Sequence, residues 1–159
     1  MAGGVQAVAL ARYRHIDAGV SAHYSWYVPG FAALGEACAL AEAHHVERAD
    51  ACRAVRQQAL AAFSSLPARL IGDQSLVMPH VLNIAFEGLD SEALMVALKD
   101  LIAISNGSAC TSSSYEPSHV LRAMGLSDDE ANRCVRISWC HMTPPLDWEA
   151  VAERIQTLL

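Results

Sequence analysis

Val81-Leu82-Asn83-Ile84-Ala85-Phe86, followed by Ser91 and the apolar positions Leu94, Met95, Leu98 and Leu101, decides the fold class. The first run is short and β-favouring, and the second has the three-and-four spacing of a helix face capped by a serine. Upstream, Arg69-Leu70-Ile71 is another short β-favouring run, and Gly72 and Asp73 mark a turn between the two. A segment that mixes strand and helix signals in this way predicts an α+β or α/β domain.

Before Pro67 the texture differs. Apolar or small residues recur at Phe31, Leu34, Cys38, Ala41, Ala49, Cys52, Val55, Ala59 and Phe63, mostly in steps of three and four. No proline intervenes between Pro29 and Pro67, so the pattern predicts one helix running from Val28-Pro29-Gly30. About 35 residues of helix span roughly 50 Å, a length that suits a helix crossing between two lobes or two subunits. Residues 1–27 show no clean period and receive no regular structure.

Downstream, residues 102–105 read as a strand and residues 106–115, small and polar without a period, as a loop. Pro117 suits the start of a helix that closes at Gly125. Ser127-Asp128-Asp129-Glu130 is a capping box. Residues 134–139 read as a strand, and Thr143-Pro144 opens a last helix with Trp148, Val151, Ile155 and Leu158 inward.

Composition sets the outer limits. The chain has 159 residues, 53% of them hydrophobic and 18% charged, which fits one ordinary folded domain. No apolar run approaches the ~20 residues of a membrane span. A formal charge of −6 argues against a general nucleic-acid or anionic-membrane binder. Five widely spaced cysteines predict free thiols and a cytoplasmic location. Of the basic residues only Lys99 is a lysine.

The loop Asn106-Gly107-Ser108-Ala109-Cys110-Thr111-Ser112-Ser113-Ser114-Tyr115 holds the most informative residue. Small neighbours leave the Cys110 thiol exposed, as a nucleophilic or sulfur-carrying thiol requires. The plain alternative is a structural cysteine in a serine-rich turn, and composition leaves both open. No basic residue adjoins it in sequence, so activation would come from elsewhere in the fold. Cys134, Cys140 and His141 match no common zinc spacing and predict a packed strand with two buried thiols, not a metal site. His44 and His45 point about 100° apart on a helix and read as solvated. His119 reads as a helix-surface residue.

Ser105-Asn106-Gly107-Ser108-Ala109-Cys110-Thr111-Ser112, with Glu116-Pro117-Ser118-His119-Val120-Leu121-Arg122-Ala123-Met124-Gly125, closely resembles cysteine desulfurases of the NifS/IscS class. The resemblance extends through His80 to Phe86, Glu92 to Leu101 and Val135-Arg136-Ile137-Ser138, and covers roughly residues 28–159. It implies the C-terminal small domain of the fold-type I pyridoxal-phosphate transferase fold, at residues 67–159, preceded by a long connecting helix at residues 28–66. Residues 1–27 stay unassigned, or read as a disturbed remnant of the large domain.

The family removes sulfur from L-cysteine, releases alanine and holds the sulfur as a persulfide on a loop cysteine. By motif position that residue is Cys110. A long, small-residue loop permits the thiol to travel from substrate to acceptor. The resemblance assigns the substrate carboxylate to Arg136, whose guanidinium matches a carboxylate in a planar, bidentate way. Without the resemblance Arg136 reads as a surface ion pair on a strand. The implied partners are L-cysteine, a sulfur-acceptor protein such as an iron–sulfur scaffold, and a second copy of the chain in a homodimer. Transfer to tRNA thiolation or DNA phosphorothioation is an alternative destination, while direct nucleic-acid or membrane contact is not expected.

The pattern is incomplete. The family forms its Schiff base on a lysine in a Ser-x-His-Lys-type motif, and none is present; Lys99 lies in a helix matching a different family segment. Gly3-Gly4 and Gln6 are the only trace of the family's glycine-rich stretch before the long helix. No cofactor-binding residue is therefore assigned, and pyridoxal 5'-phosphate is expected in the complete enzyme but not on this chain alone. The expectations that follow are a C-terminal part of a larger desulfurase, a short chain that carries sulfur without catalysis or completes its site from another chain, or an inactive fragment.

Overall fold

The computed structural model describes residues 28–106 and 117–159. The chain divides into two compact units, Met1–Glu47 and Arg48–Leu159. Helix α1 covers Val28–Ala62 and ends in a 3-10 turn at Phe63–Ser65. In chain order there follow β1 (Ala68–Leu70), β2 (Val81–Phe86), α2 (Ser91–Leu98), α3 (His119–Ala123), α4 (Asp128–Asn132), β3 (Cys134–Ser138) and α5 (Trp148–Gln156).

The described strands form one antiparallel sheet in the order β1-β2-β3. Its register pairs Arg69 with Ala85, Asn83 with Arg136, and Ala85 with Cys134. Strand alternation then separates two faces. Leu82, Ile84, Phe86, Val135 and Ile137 enter the main core with Ala59 and Phe63, Leu94 and Leu98 of α2, and Trp148, Val151 and Ile155 of α5. Phe63 is the hinge of this packing, edge-on to Phe86 at 5.6 Å and to Trp148 at 5.9 Å between centroids. On the other face Ala85 and Cys134 pack with Ile71, Leu121 and Ala131, so α3 and α4 cover part of it.

Helix ends explain the element boundaries. The Asp90 carboxylate accepts from the Glu92 and Ala93 backbone N–H groups at 2.8 and 3.4 Å, so Asp90, not Ser91, caps α2. The expected capping box at Ser127 and Glu130 is present in full. Helix α3 begins at His119, past Pro117, and closes where the sequence put it. Gly125 takes φ +89°, with Leu126 N–H on the Leu121 carbonyl and Gly125 N–H on that of Arg122. That pair of bonds is the glycine-closed helix end in which the last carbonyls find donors.

Other expectations need correction. Residues 102–105 do not form a strand; only Ser105 joins the sheet, by an isolated bridge. The last helix begins at Trp148 under an Asp147 cap, because Pro144 and Pro145 stand before the aspartate that satisfies Ala150 N–H. Leu158 lies beyond that helix and is 39% exposed. The apolar stripe of α1 is buried only toward its end: Cys52, Ala59 and Phe63 are inside, whereas Phe31 and Leu34 are exposed among the described residues. Periodicity identifies an apolar face but does not say whether anything covers it.

Candidate functional site

Arg136 sits at the middle of β3, on the opposite face from Val135 and Ile137. Its backbone is held from one side by Ser105. Arg136 N–H donates to the Ser105 carbonyl at 2.6 Å, and Ser105 N–H donates to the Arg136 carbonyl at 3.0 Å. From the other side it faces Asn83 across a non-hydrogen-bonded pair; the Asn83 carbonyl is turned to β1 and accepts from Ile71 N–H at 2.9 Å. Ser105, Arg136 and Asn83 therefore make one row across the sheet, next to the row Cys134–Ala85–Arg69 that α3 and α4 adjoin.

Charge distinguishes the two rows. Arg69 donates to Glu130 at 2.9 Å, Arg122 grips Asp128 through two nitrogens at 2.6 and 3.0 Å, and Arg133 meets Asp129 at 2.6 Å. Arg53 and Arg154 are likewise paired, with Asp50 and Asp100. Arg136 is exposed, and its guanidinium has no ion pair or hydrogen bond among the described residues. The expected surface ion pair at this strand arginine is thus absent there. Beside it the Asn83 side-chain oxygen is buried without a hydrogen-bond partner among the described residues. Sequence reading missed Asn83, whose signal is a polar residue inside the otherwise apolar run 81–86.

Cys110 lies outside the described residues, as do the rest of residues 107–115 of the expected loop, Glu116 and residues 1–27. In sequence, Cys110 follows the Ser105 bridge by five positions. The other thiols are placed. Cys134 is buried, its Sγ donates to the Glu130 carbonyl at 3.2 Å, and burial raises its pKa above the ordinary thiol value. Cys140 is exposed, so the expectation of two buried thiols at this strand is half wrong. The chain has left the strand by Cys140 and turns there, with Thr143 N–H on the Cys140 carbonyl at 3.0 Å.

No group of three or more His, Cys, Asp or Glu suited to a metal exists among the described residues. His119 is exposed, and His44 and His45 bond within their own helix, to Glu47 and to the Glu42 carbonyl. The family's cofactor needs a lysine amine for its Schiff base, and Lys99 is the one lysine of the sequence. Lys99 is exposed at the end of α2, next in sequence to Asp100, which pairs with Arg154. No described helix is long and apolar enough to cross a membrane.

No protein-family model matches the chain. Cysteine desulfurase IscS of Ruthia magnifica subsp. Calyptogena magnifica is 46% identical over 106 residues, which are 66% of this chain and 26% of that protein. Cysteine desulfurase IscS of Vibrio campbellii is 40% identical over 124 residues, 77% of this chain and 30% of that protein. Among solved structures, a NifS-like protein from Rickettsia africae superposes with a TM-score of 0.66 over 82% of this chain and 34% of its own. At 22% identity that likeness speaks to the fold alone. DndA from Streptomyces lividans gives 0.54 at 38% identity, over 71% of this chain and 32% of its own. The chain thus spans between 26% and 34% of the length of these relatives. Sequence and fold together place it with the C-terminal portion of the cysteine desulfurases of the NifS/IscS class.

Proposed function

We propose that this chain supplies the sulfur-accepting thiol and the carboxylate-binding arginine of a cysteine desulfurase. The reaction is L-cysteine plus the Cys110 thiol giving L-alanine plus a Cys110 persulfide. The substrate carbon–sulfur bond breaks, a sulfur–sulfur bond forms on Cys110, and the freed carbon takes up a proton. Arg136 holds the carboxylate of L-cysteine while this occurs. The observation that carries the reading is the exposed Arg136 guanidinium, without an ion pair among the described residues, on a strand bonded through its backbone to Ser105.

An arginine without a carboxylate of its own keeps its bidentate fork for a ligand. Five residues of chain reach at most about 18 Å, so Cys110 is tethered within that distance of the row that carries Arg136. Pyridoxal phosphate belongs, in this reading, to the part of the relatives' length that this chain does not span. The persulfide then passes to an acceptor, with an iron–sulfur scaffold as the default and a homodimer as the working form. Lys99 favours a second reading for the chain by itself: with its only lysine exposed outside any site, it takes up sulfur from a donor without generating it.

The test needs only the chain and a low-molecular-weight persulfide donor. Mass spectrometry should find sulfane sulfur on Cys110 ahead of Cys38, Cys52, Cys134 and Cys140. Equal labelling of all five cysteines would refute the assignment.

A further inference from the structure

We propose that Asn83 is the positioning residue of Arg136: when a carboxylate occupies the guanidinium fork, the buried Asn83 Oδ1 accepts a hydrogen bond from it and fixes its plane. This inference rests on the desulfurase reading, which gives Arg136 its carboxylate, and deepens it.

The sheet brings the two side chains together. Asn83 and Arg136 are register partners on β2 and β3. Directly opposite residues share a face, here the one away from Leu82, Ile84, Val135 and Ile137 of the main core. In a pair of this non-hydrogen-bonded kind the Cβ atoms lie roughly 4.5–5.5 Å apart, within the reach of a long side chain. Both backbones are tied on their outer sides. The Asn83 carbonyl holds Ile71 N–H at 2.9 Å, and Arg136 exchanges bonds with Ser105 at 2.6 and 3.0 Å. Any adjustment between the pair therefore falls to the side chains.

Their hydrogen-bonding needs are complementary. Asn83 is half-buried, and its Oδ1 is buried without a partner among the described residues. Such an oxygen can only accept, and burying it without a donor is unfavourable. Arg136 can only donate, is exposed, and pairs with no carboxylate among the described residues. A bidentate ligand takes one edge of the fork and leaves further N–H groups for an acceptor beneath it.

The neutrality of the amide matters. On the same face of the domain, Arg69 and Arg122 are set by the carboxylates of Glu130 and Asp128. A carboxylate at position 83 would orient Arg136 as well, but it would compete with the ligand for the charge. An amide oxygen orients the guanidinium and leaves its charge to the ligand.

The first test uses the full chain. Asn83→Asp puts a charged acceptor at this place, so it should slow phenylglyoxal modification of Arg136 severalfold relative to the other arginines, as followed by peptide mass spectrometry. Modification at the parent rate would show that the two side chains do not meet, and would overturn the proposal. Asn83→Leu should leave the urea midpoint unchanged or raised, because the oxygen it removes has no donor in the free chain. A lower midpoint would make the amide part of the scaffold and would also overturn the proposal. The second test uses a full-length relative carrying this region. There Asn83→Leu should raise KM for L-cysteine about tenfold, with little change in kcat, and should add nothing to Arg136→Ala. An unchanged KM, or the same rise in both backgrounds, would remove Asn83 from this role while leaving Arg136 in the site. Parent kinetics in Arg136→Ala would overturn the desulfurase reading itself, and this inference with it.

Discussion

Ser105 and Arg136 exchange both backbone hydrogen bonds, at 2.6 and 3.0 Å, and this one bridge joins the strand arginine to the head of the cysteine segment. Ser105→Pro removes the N–H that serves the Arg136 carbonyl and should cost about 1–3 kcal/mol of stability. Urea unfolding measures it; an unchanged midpoint would mean that the bridge contributes nothing in solution.

Arg136→Ala should separate stability from recognition. The side chain is exposed and has no partner among the described residues, so the chain's own stability should move by no more than about 0.5 kcal/mol. In a full-length relative carrying this region, the same change should weaken L-cysteine binding by about 1.5–3 kcal/mol, chiefly in KM. Arg136→Lys should restore only part of it, since an ammonium lacks the planar fork. Unchanged kinetics in the alanine variant would remove Arg136 from the site.

Local signals were legible in the sequence and long-range ones were not. Residues 81–86 and the Ser127–Glu130 box could be read because each is specified by residues adjacent in the chain. Asp90 and Ser91 are both good cap residues, and only the observed φ and ψ select the aspartate. The Ser105–Arg136 bridge is made by backbone atoms far apart in sequence, so no side-chain pattern announces it. What makes Arg136 a candidate ligand group is that no carboxylate among the described residues pairs with it, and sequence spacing says nothing about that. The fate of the α1 stripe is likewise a tertiary matter: Cys52, Ala59 and Phe63 meet the sheet and its helices, while Phe31 and Leu34 show the same spacing and stay exposed.

Trp148 offers a test of the core. It is 5% exposed and packs edge-on to Phe63 and Trp139, yet its indole nitrogen is buried without an acceptor among the described residues. Trp148→Ala should cost about 3–5 kcal/mol from lost contact and cavity. Trp148→Phe also loses volume but removes an orphaned donor, whose burial is itself unfavourable by about 1–3 kcal/mol. The phenylalanine variant should therefore lose less than about 1.5 kcal/mol by urea unfolding. Equal losses for the two variants would show that the indole nitrogen is satisfied in solution.

Acid should loosen the chain first around α4. The Glu130 carboxylate accepts from Ser127 N–H at 2.9 Å and from the Ser127 hydroxyl at 2.8 Å, and Arg69 lies at 2.9 Å. These hold its pKa below the ordinary glutamate value, the Ser127 backbone bond first. Asp128 is lowered too, chiefly by the hydrogen bonds from Arg122. A carboxyl whose folded pKa is depressed binds fewer protons folded than unfolded, so stability rises with pH across that interval. Its contribution is complete above the unfolded value and is lost as pH falls through the folded one. Both groups are exposed at the surface, so solvent screening keeps the effect small. The urea midpoint should decline as pH drops below the ordinary carboxylate range, and Glu130→Gln should decline less steeply over the same interval. Ser127→Ala should add a cost of about 0.5–2 kcal/mol at neutral pH, where the lost cap is felt in full. A Glu130→Gln profile that parallels the parent throughout would show that this carboxylate carries none of the acid sensitivity.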